Sequence, residues 1–296
     1  MEQKVKWHLP GFCYFFYLNQ IVIHMMKENP EWFREGYVPG SVYGTFPGAI
    51  WNGGRAVFGI TSKGDMKQIL NTYERFGVPV RFTWTNPLIE EKHVQDTYCN
   101  LIMELADNGK NEVLVNSPVL EEYLRTNYPH FGFISSTTKR ITSLDKIEEE
   151  LKKNYKLVVL DYDLNHNEEV LKALEPVADR VEILVDEICF PGCTKRLQHY
   201  EDEARMQLTY EKGTVFPCPN RDKRPSFEEC KKRPAFISNE EIENLVKRGF
   251  QNFKIVGRGL PQDMVLDSYL YYLVRENKVE VVREKIGKTL ATLTKR

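Results

Sequence analysis

From about residue 40 to the C-terminus, apolar runs of strand length alternate with charged stretches of helical period. The strand-like runs fall at 41–46, 80–85, 112–115, 131–135, 157–161, 181–185, 235–237 and 252–256. Each is short and rich in β-branched or aromatic residues, as a buried parallel strand requires. Helical periodicity fills the intervals at 64–76, 90–108, 118–127, 144–154, 168–178, 194–210, 239–248 and 262–276. In the seventh of these, Ile242, Leu245 and Val246 form one apolar stripe among Glu241, Glu243 and Lys247. This alternation predicts an α/β fold, a closed (β/α)8 barrel of the TIM type, spanning residues 1–296 as one domain. A doubly wound open sheet would carry a glycine-rich phosphate turn after its first strand. Asn52-Gly53-Gly54 at that place reads instead as a hairpin turn.

Two stretches stand outside the alternation. Residues 1–40 are expected to be an N-terminal capping segment, with 11–26 (GFCYFFYLNQIVIHMM) as an added helix outside the repeating units. That helix is too short to span a bilayer and carries Asn19, Gln20 and His24. No small-residue cleavage site follows it, so it does not read as a signal peptide. Residues 211–234 hold four prolines, two cysteines and seven basic residues, and form neither one helix nor a central strand. They are expected to be a cysteine-bearing loop insertion after the sixth helix. A loop of this length in a compact domain is usually functional, disordered or held by something.

Composition narrows the function classes. The chain has 41 Lys+Arg against 42 Asp+Glu, a net charge of −1, which excludes nucleic-acid binding by bulk positive charge. Its 42% hydrophobic and 28% charged residues are those of a globular protein, and a cytoplasmic location is expected. Six cysteines in 296 residues are too few for a disulfide scaffold, leaving free thiols or metal ligands.

Four of those cysteines lie close together in sequence: Cys189 and Cys193 in a C-x3-C pair, then Cys218 and Cys230 in the insertion. The first pair follows the sixth predicted strand, where barrel enzymes place their chemistry. Phe190-Pro191-Gly192 supplies the sharp turn the pair needs. Four thiolates held together require a soft cation or an iron–sulfur cluster to offset their repulsion. The spacing alone does not choose between iron and zinc.

The stretch from Glu182 to Cys193, EILVDEICFPGC, resembles the signature of the U32 "collagenase-like peptidase" family, in which a strand Glu precedes two cysteines around a glycine-containing loop. Phe253-Lys254-Ile255-Val256-Gly257-Arg258 is similar to that family's late FKIEGR-type strand, after a helix patterned by Ile242, Leu245 and Gly249. The cysteine pair is closer than the family's usual spacing, and Asp186-Glu187 replaces a small G-[SA] pair. The resemblance implies a [4Fe–4S] cluster on Cys189, Cys193, Cys218 and Cys230. It also implies hydroxylation-type redox modification of an RNA base or a small aromatic, quinone-like substrate.

Other candidates come from position. Asp161, Asp163, Asp186 and Glu187 fall at strand carboxyl ends, where acids bind substrate or move protons. Asp161, Asp186, Glu187 and Arg258, which ends the last strand between two glycines, are expected to line one cavity with the cysteine pair. The basic residues of 211–234 would suit RNA or a phosphate-bearing small molecule, although four acids share the segment. Residues 161–167 mimic an EF-hand start, but His166 and Lys172 occupy the required Gly and Glu positions, so a strand end and an Asn helix cap are expected there. His199 reads as a solvated helix residue. The competing function is a binding protein whose cysteines hold structural zinc. A peptidase has no H-E-x-x-H or G-x-S-x-G behind it.

Overall fold

The computed structural model describes residues 4–211, 226–257 and 259–293. Its first strand, β1 (Val5–Pro10), lies inside the segment expected to be a cap. The residues VKWHLP alternate as a pleated strand does. Trp7 faces outward onto the rings of Tyr37, Phe253 and Tyr272, at centroid distances of 5.5, 5.5 and 5.3 Å. His8 faces inward to Ser41. The strands that follow are β2 (Tyr37–Gly44), β3 (Val80–Trp84), β4 (Glu112–Val115), β5 (Gly132–Ser135), β6 (Leu157–Val159), β7 (Val181–Leu184) and β8 (Asn252–Lys254). Each pairs in parallel with the next and β8 returns to β1, closing the (β/α)8 barrel.

Two expectations are corrected. Residues 1–40 are not a cap. They supply β1, the helix Phe16–Glu28 and the start of β2, so that helix is the first crossover rather than an addition. Asn19 fixes it to the barrel by donating to the Pro10 carbonyl at 3.0 Å and accepting from the Tyr269 hydroxyl at 2.6 Å. The run at 235–237 is not a strand. β7 is already paired with β6 on one side and β8 on the other, so no ladder position is left. Ile237 N–H makes a single bond to the Val185 carbonyl at 2.8 Å, just past the end of β7. The 52–54 turn is likewise no hairpin, because β2 and β3 are parallel neighbours.

The helices begin where side-chain caps satisfy free amides. Ser62, Asp96, Ser117, Asn167 and Ser238 each accept from a backbone N–H in the first turn that follows, and Ser238 with Glu241 forms a reciprocal capping box. Asn167 is thus the cap expected after the 161–167 segment. A helix beyond the last expected one, Val279–Leu293, packs on Phe16–Glu28. No described helix is long and apolar enough to cross a membrane.

The barrel interior has two sectors. Leu114, Ile134, Leu157, Val159 and Leu184 fill one with apolar side chains. The other holds His8, Ser41, Arg81, Glu112, Glu182 and Lys254, all buried. The polar sector forms the floor of the cleft at the barrel mouth.

Candidate functional site at the barrel mouth

The floor is a column of paired charges. Arg81 on β3 donates through Nε to Glu112 on β4 at 2.8 Å and through Nη1 to Glu182 on β7. Lys254 Nζ stands 3.3 Å from the other Glu182 oxygen, and Lys156 reaches Glu112. Burial alone would raise the Glu182 pKa, but the charges of Arg81 and Lys254 and the Arg81 hydrogen bond override it and hold the carboxyl below the usual range. His8 goes the other way. Burial and the Arg81 charge outweigh the pull of Glu182 and lower the imidazole pKa from 6.5 to about 3.

This makes the pH dependence of stability specific. The unfolded chain takes up a proton on His8 near pH 6.5, while the folded chain refuses it down to about 3. Stability therefore rises with pH across that window and is lost as acid is added through it. In His8→Gln, urea unfolding followed from pH 7 down to about 4 is expected to show a shallower fall than in the wild type. An unchanged slope would mean that His8 titrates normally in the fold.

Above this floor opens a cleft of about 650 Å³, including space shared with solvent. Its lining comes from strand ends and the loops after them: Thr83 and Thr85 of β3 and its exit, Leu114 of β4, Ser136–Thr138 after β5, Leu184 and Glu187 around the end of β7, and Lys254 of β8 with Val256 just beyond it. These are carboxyl ends, the face where barrels of this kind carry their sites. Lys254 lies under the Tyr43 ring, 4.3 Å from its centroid.

One wall is the helix Arg196–Thr209. Arg196 packs over Tyr200 at 4.6 Å and approaches Glu187 at 3.5 Å. The loop after β2 lies along the same helix, with Ala56 N–H on Glu203 and Val57 N–H on Gln207, each at 2.6 Å. This sets Arg55 on the cleft, bonded to His199 at 3.3 Å. His199 stays partly exposed on this helix, as expected, and pairs with Glu203 at 3.3 Å. Gly53 is required where that loop crosses β3, because a Cβ there would lie 2.3 Å from the Thr85 backbone.

Of the acids expected in the cavity, Glu187 lines the cleft and the others do not. Asp161 and Asp163 are both held by Arg140, at 2.8 and 2.6 Å, and face away from the lining. Burial outweighs Arg140 and raises Asp161 to about 6. Asp186 is turned outward, because its carboxylate accepts from Val256 N–H at 2.7 Å and from the Ser268 hydroxyl at 2.8 Å. Burial raises Asp186 to about 7. Both are thus spent on neighbouring elements, which corrects the expectation of one shared acidic cavity. Arg258 lies outside the described residues.

Three of the four grouped cysteines gather around the loop after β7. Cys189 N–H donates to Glu187, and Cys193 lies four residues further along the same loop. Buried Cys230, on the short helix Phe227–Cys230, donates its S–H to the Asp186 carbonyl at 3.1 Å. Arg233 stacks on Phe190 at 4.3 Å, pinning that helix to the loop. Burial pushes the Cys189 and Cys230 thiols up, so each would yield its proton only to a metal or a strong cationic neighbour. Among the described residues no three His, Cys, Asp or Glu side chains stand ready to share one ion. Cys218, the fourth member, lies outside the described residues.

Sequence reasoning missed Arg140, Arg196 and Lys254. Lys254 was visible in principle, since Asn252 and Lys254 share one face of β8 and are polar in a buried strand. Arg140 adopts a left-handed backbone at φ 55°, which no local sequence signal marks.

The closed parallel barrel with its cleft at the strand carboxyl ends defines an α/β barrel protein of the TIM class. Its structure is similar to that of the U32 peptidase Mk0906, with a TM-score of 0.53 over 88% of this chain and 96% of that one, at 16% identity. That likeness is one of fold. No protein-family model and no curated protein matches the sequence.

Proposed function

We propose that this chain is a U32-like barrel enzyme. It performs hydroxylation-type redox modification of a substrate bound at the barrel mouth, beside a [4Fe–4S] cluster on Cys189, Cys193, Cys218 and Cys230. The observation that carries the reading is the Cys230 bond to the Asp186 carbonyl. It holds Cys230 against the end of β7, next to the loop that bears Cys189 and Cys193. Such a cluster supplies electron transfer.

The chain's own residues would bind and orient. The apolar side of the cleft at Leu114 and Leu184 would take a flat ring, while Lys254, Arg196 and the threonine hydroxyls fix its polar groups. A nucleobase of RNA or a small aromatic, quinone-like ring is the substrate class that this pairing of apolar and polar groups suits. The competing readings are a structural four-cysteine zinc site in a binding protein, and a peptidase.

Nothing on the cleft favours the peptidase. The Ser41–His8 pair, at 2.8 Å, is sealed inside the barrel. Its imidazole pKa of about 3 is far from that of a working base. Metal analysis of anaerobically purified protein separates the other two. A brown protein with about four irons per chain is the expected result. Stoichiometric zinc without iron would replace the redox reading with the structural one.

A further inference from the structure

The cleft contains buried polar groups that the fold leaves unsatisfied. Thr85 Oγ1 and Arg196 Nε, on residues 1% and 6% exposed, have no hydrogen-bond partner among the described residues, and neither has Thr137 Oγ1. All three residues line the cleft. Buried donors without partners cost stability, so such a set at one cleft marks a place where a ligand completes the bonding.

The cations that line the cleft indicate what that ligand is. In the floor column Arg81 and Lys254 balance Glu112 and Glu182, with His8 neutral. Lys156, half-exposed, meets Glu112 from the opposite end of the barrel, and Lys254 is the cation of the column that reaches the cleft lining. On the wall Arg196 is matched by Glu187 and Arg55 by Glu203. The Arg140 group, with its two acids, stands off the cleft.

We infer that the mouth cleft is an oxyanion subsite, in which the carboxylate or phosphate of a small-molecule substrate sits between Lys254 and Arg196 and accepts from the hydroxyls of Thr85 and Thr137. A guanidinium with an unspent N–H and an ammonium on the floor together give charge-assisted bonds to one anionic group. Glu187 sets the limit on charge, since a second negative group beside it would be repelled. This inference rests on the mouth being the substrate site and not on the cluster.

The test is titration calorimetry on the full chain as purified, with inorganic phosphate and with benzoate as probes, and iron measured in the same sample. Saturable binding of at least one probe is expected, and the tighter of the two identifies the anion's source. Lys254→Met and Arg196→Gln should each weaken it about tenfold or more, and an exterior change, Lys231→Gln, should not. Thr85→Val removes one hydroxyl with little change of shape. It should weaken the same probe even if a charge variant fails to fold. Binding by iron-free protein would support the subsite while counting against the cluster. Absence of saturable binding, or equal binding by wild type, Arg196→Gln and Thr85→Val, would overturn the subsite whatever the iron content.

Discussion

Replacing Arg81 by Met is expected to destabilise the protein by about 3–5 kcal/mol, because it leaves two buried carboxylates without their shared cation. Arg81 is fully buried, and its Nε and Nη1 bridge Glu112 and Glu182 on opposite sides of the barrel interior. Lys254 and Lys156 touch the outer oxygens of those acids but do not reach between them. The remaining routes are protonation of a carboxyl that the native fold holds below its usual pKa, or entry of water, and both cost free energy. Urea unfolding at neutral pH reads the effect. The companion variant Arg81→Met/Glu112→Leu should recover part of the loss, since it removes a bare charge along with the cation. A loss below about 1 kcal/mol in the single variant would mean that the column is hydrated rather than closed.

Trp7→Ala is expected to cost a similar amount, about 3–5 kcal/mol. The indole is fully buried among Tyr37, Phe253 and Tyr272, so truncation empties a cavity between the barrel wall and the helix Gln262–Leu273. The same change in a detached N-terminal cap would fall within about 0.5 kcal/mol. The measurement therefore also decides whether β1 closes the barrel between β8 and β2. Thermal unfolding monitored in the far ultraviolet is enough, with one cooperative transition expected in both proteins.

The barrel was legible because period-2 and period-3.6 patterns alternate cleanly from β2 onward. The strand at Glu112–Val115 and the helix Pro118–Asn127 lie at the residues the pattern assigned. β1 was hidden by the polar Lys6 and His8, which break the apolar run that marks a doubly buried strand, and by Pro10 at its end. The false strand at 235–237 carries a convincing apolar triplet, yet local pattern cannot reveal that both edges of β7 are occupied.

The site was legible in part for a similar reason. Glu187 and the cysteine pair follow β7 directly, so their place at the mouth comes from chain order. The turning of Asp186 toward Ser268 and the capture of Asp161 by Arg140 depend on partners 82 and 21 residues away. Those pairings are three-dimensional and left no mark in the local sequence.

The central claim is that one metal centre draws together cysteines from the β7 loop and from the later excursion. It is tested most directly by iron content in single-cysteine variants prepared under argon. Cys189→Ala, Cys193→Ala, Cys218→Ala and Cys230→Ala should each lose most of the iron that the wild type retains, because a cluster of this kind needs all four thiolates. Cys99→Ala, in the buried face of the helix Thr97–Ala106, should retain it. Iron retained by Cys230→Ala at the wild-type level, or iron absent from the wild type itself, would contradict the account.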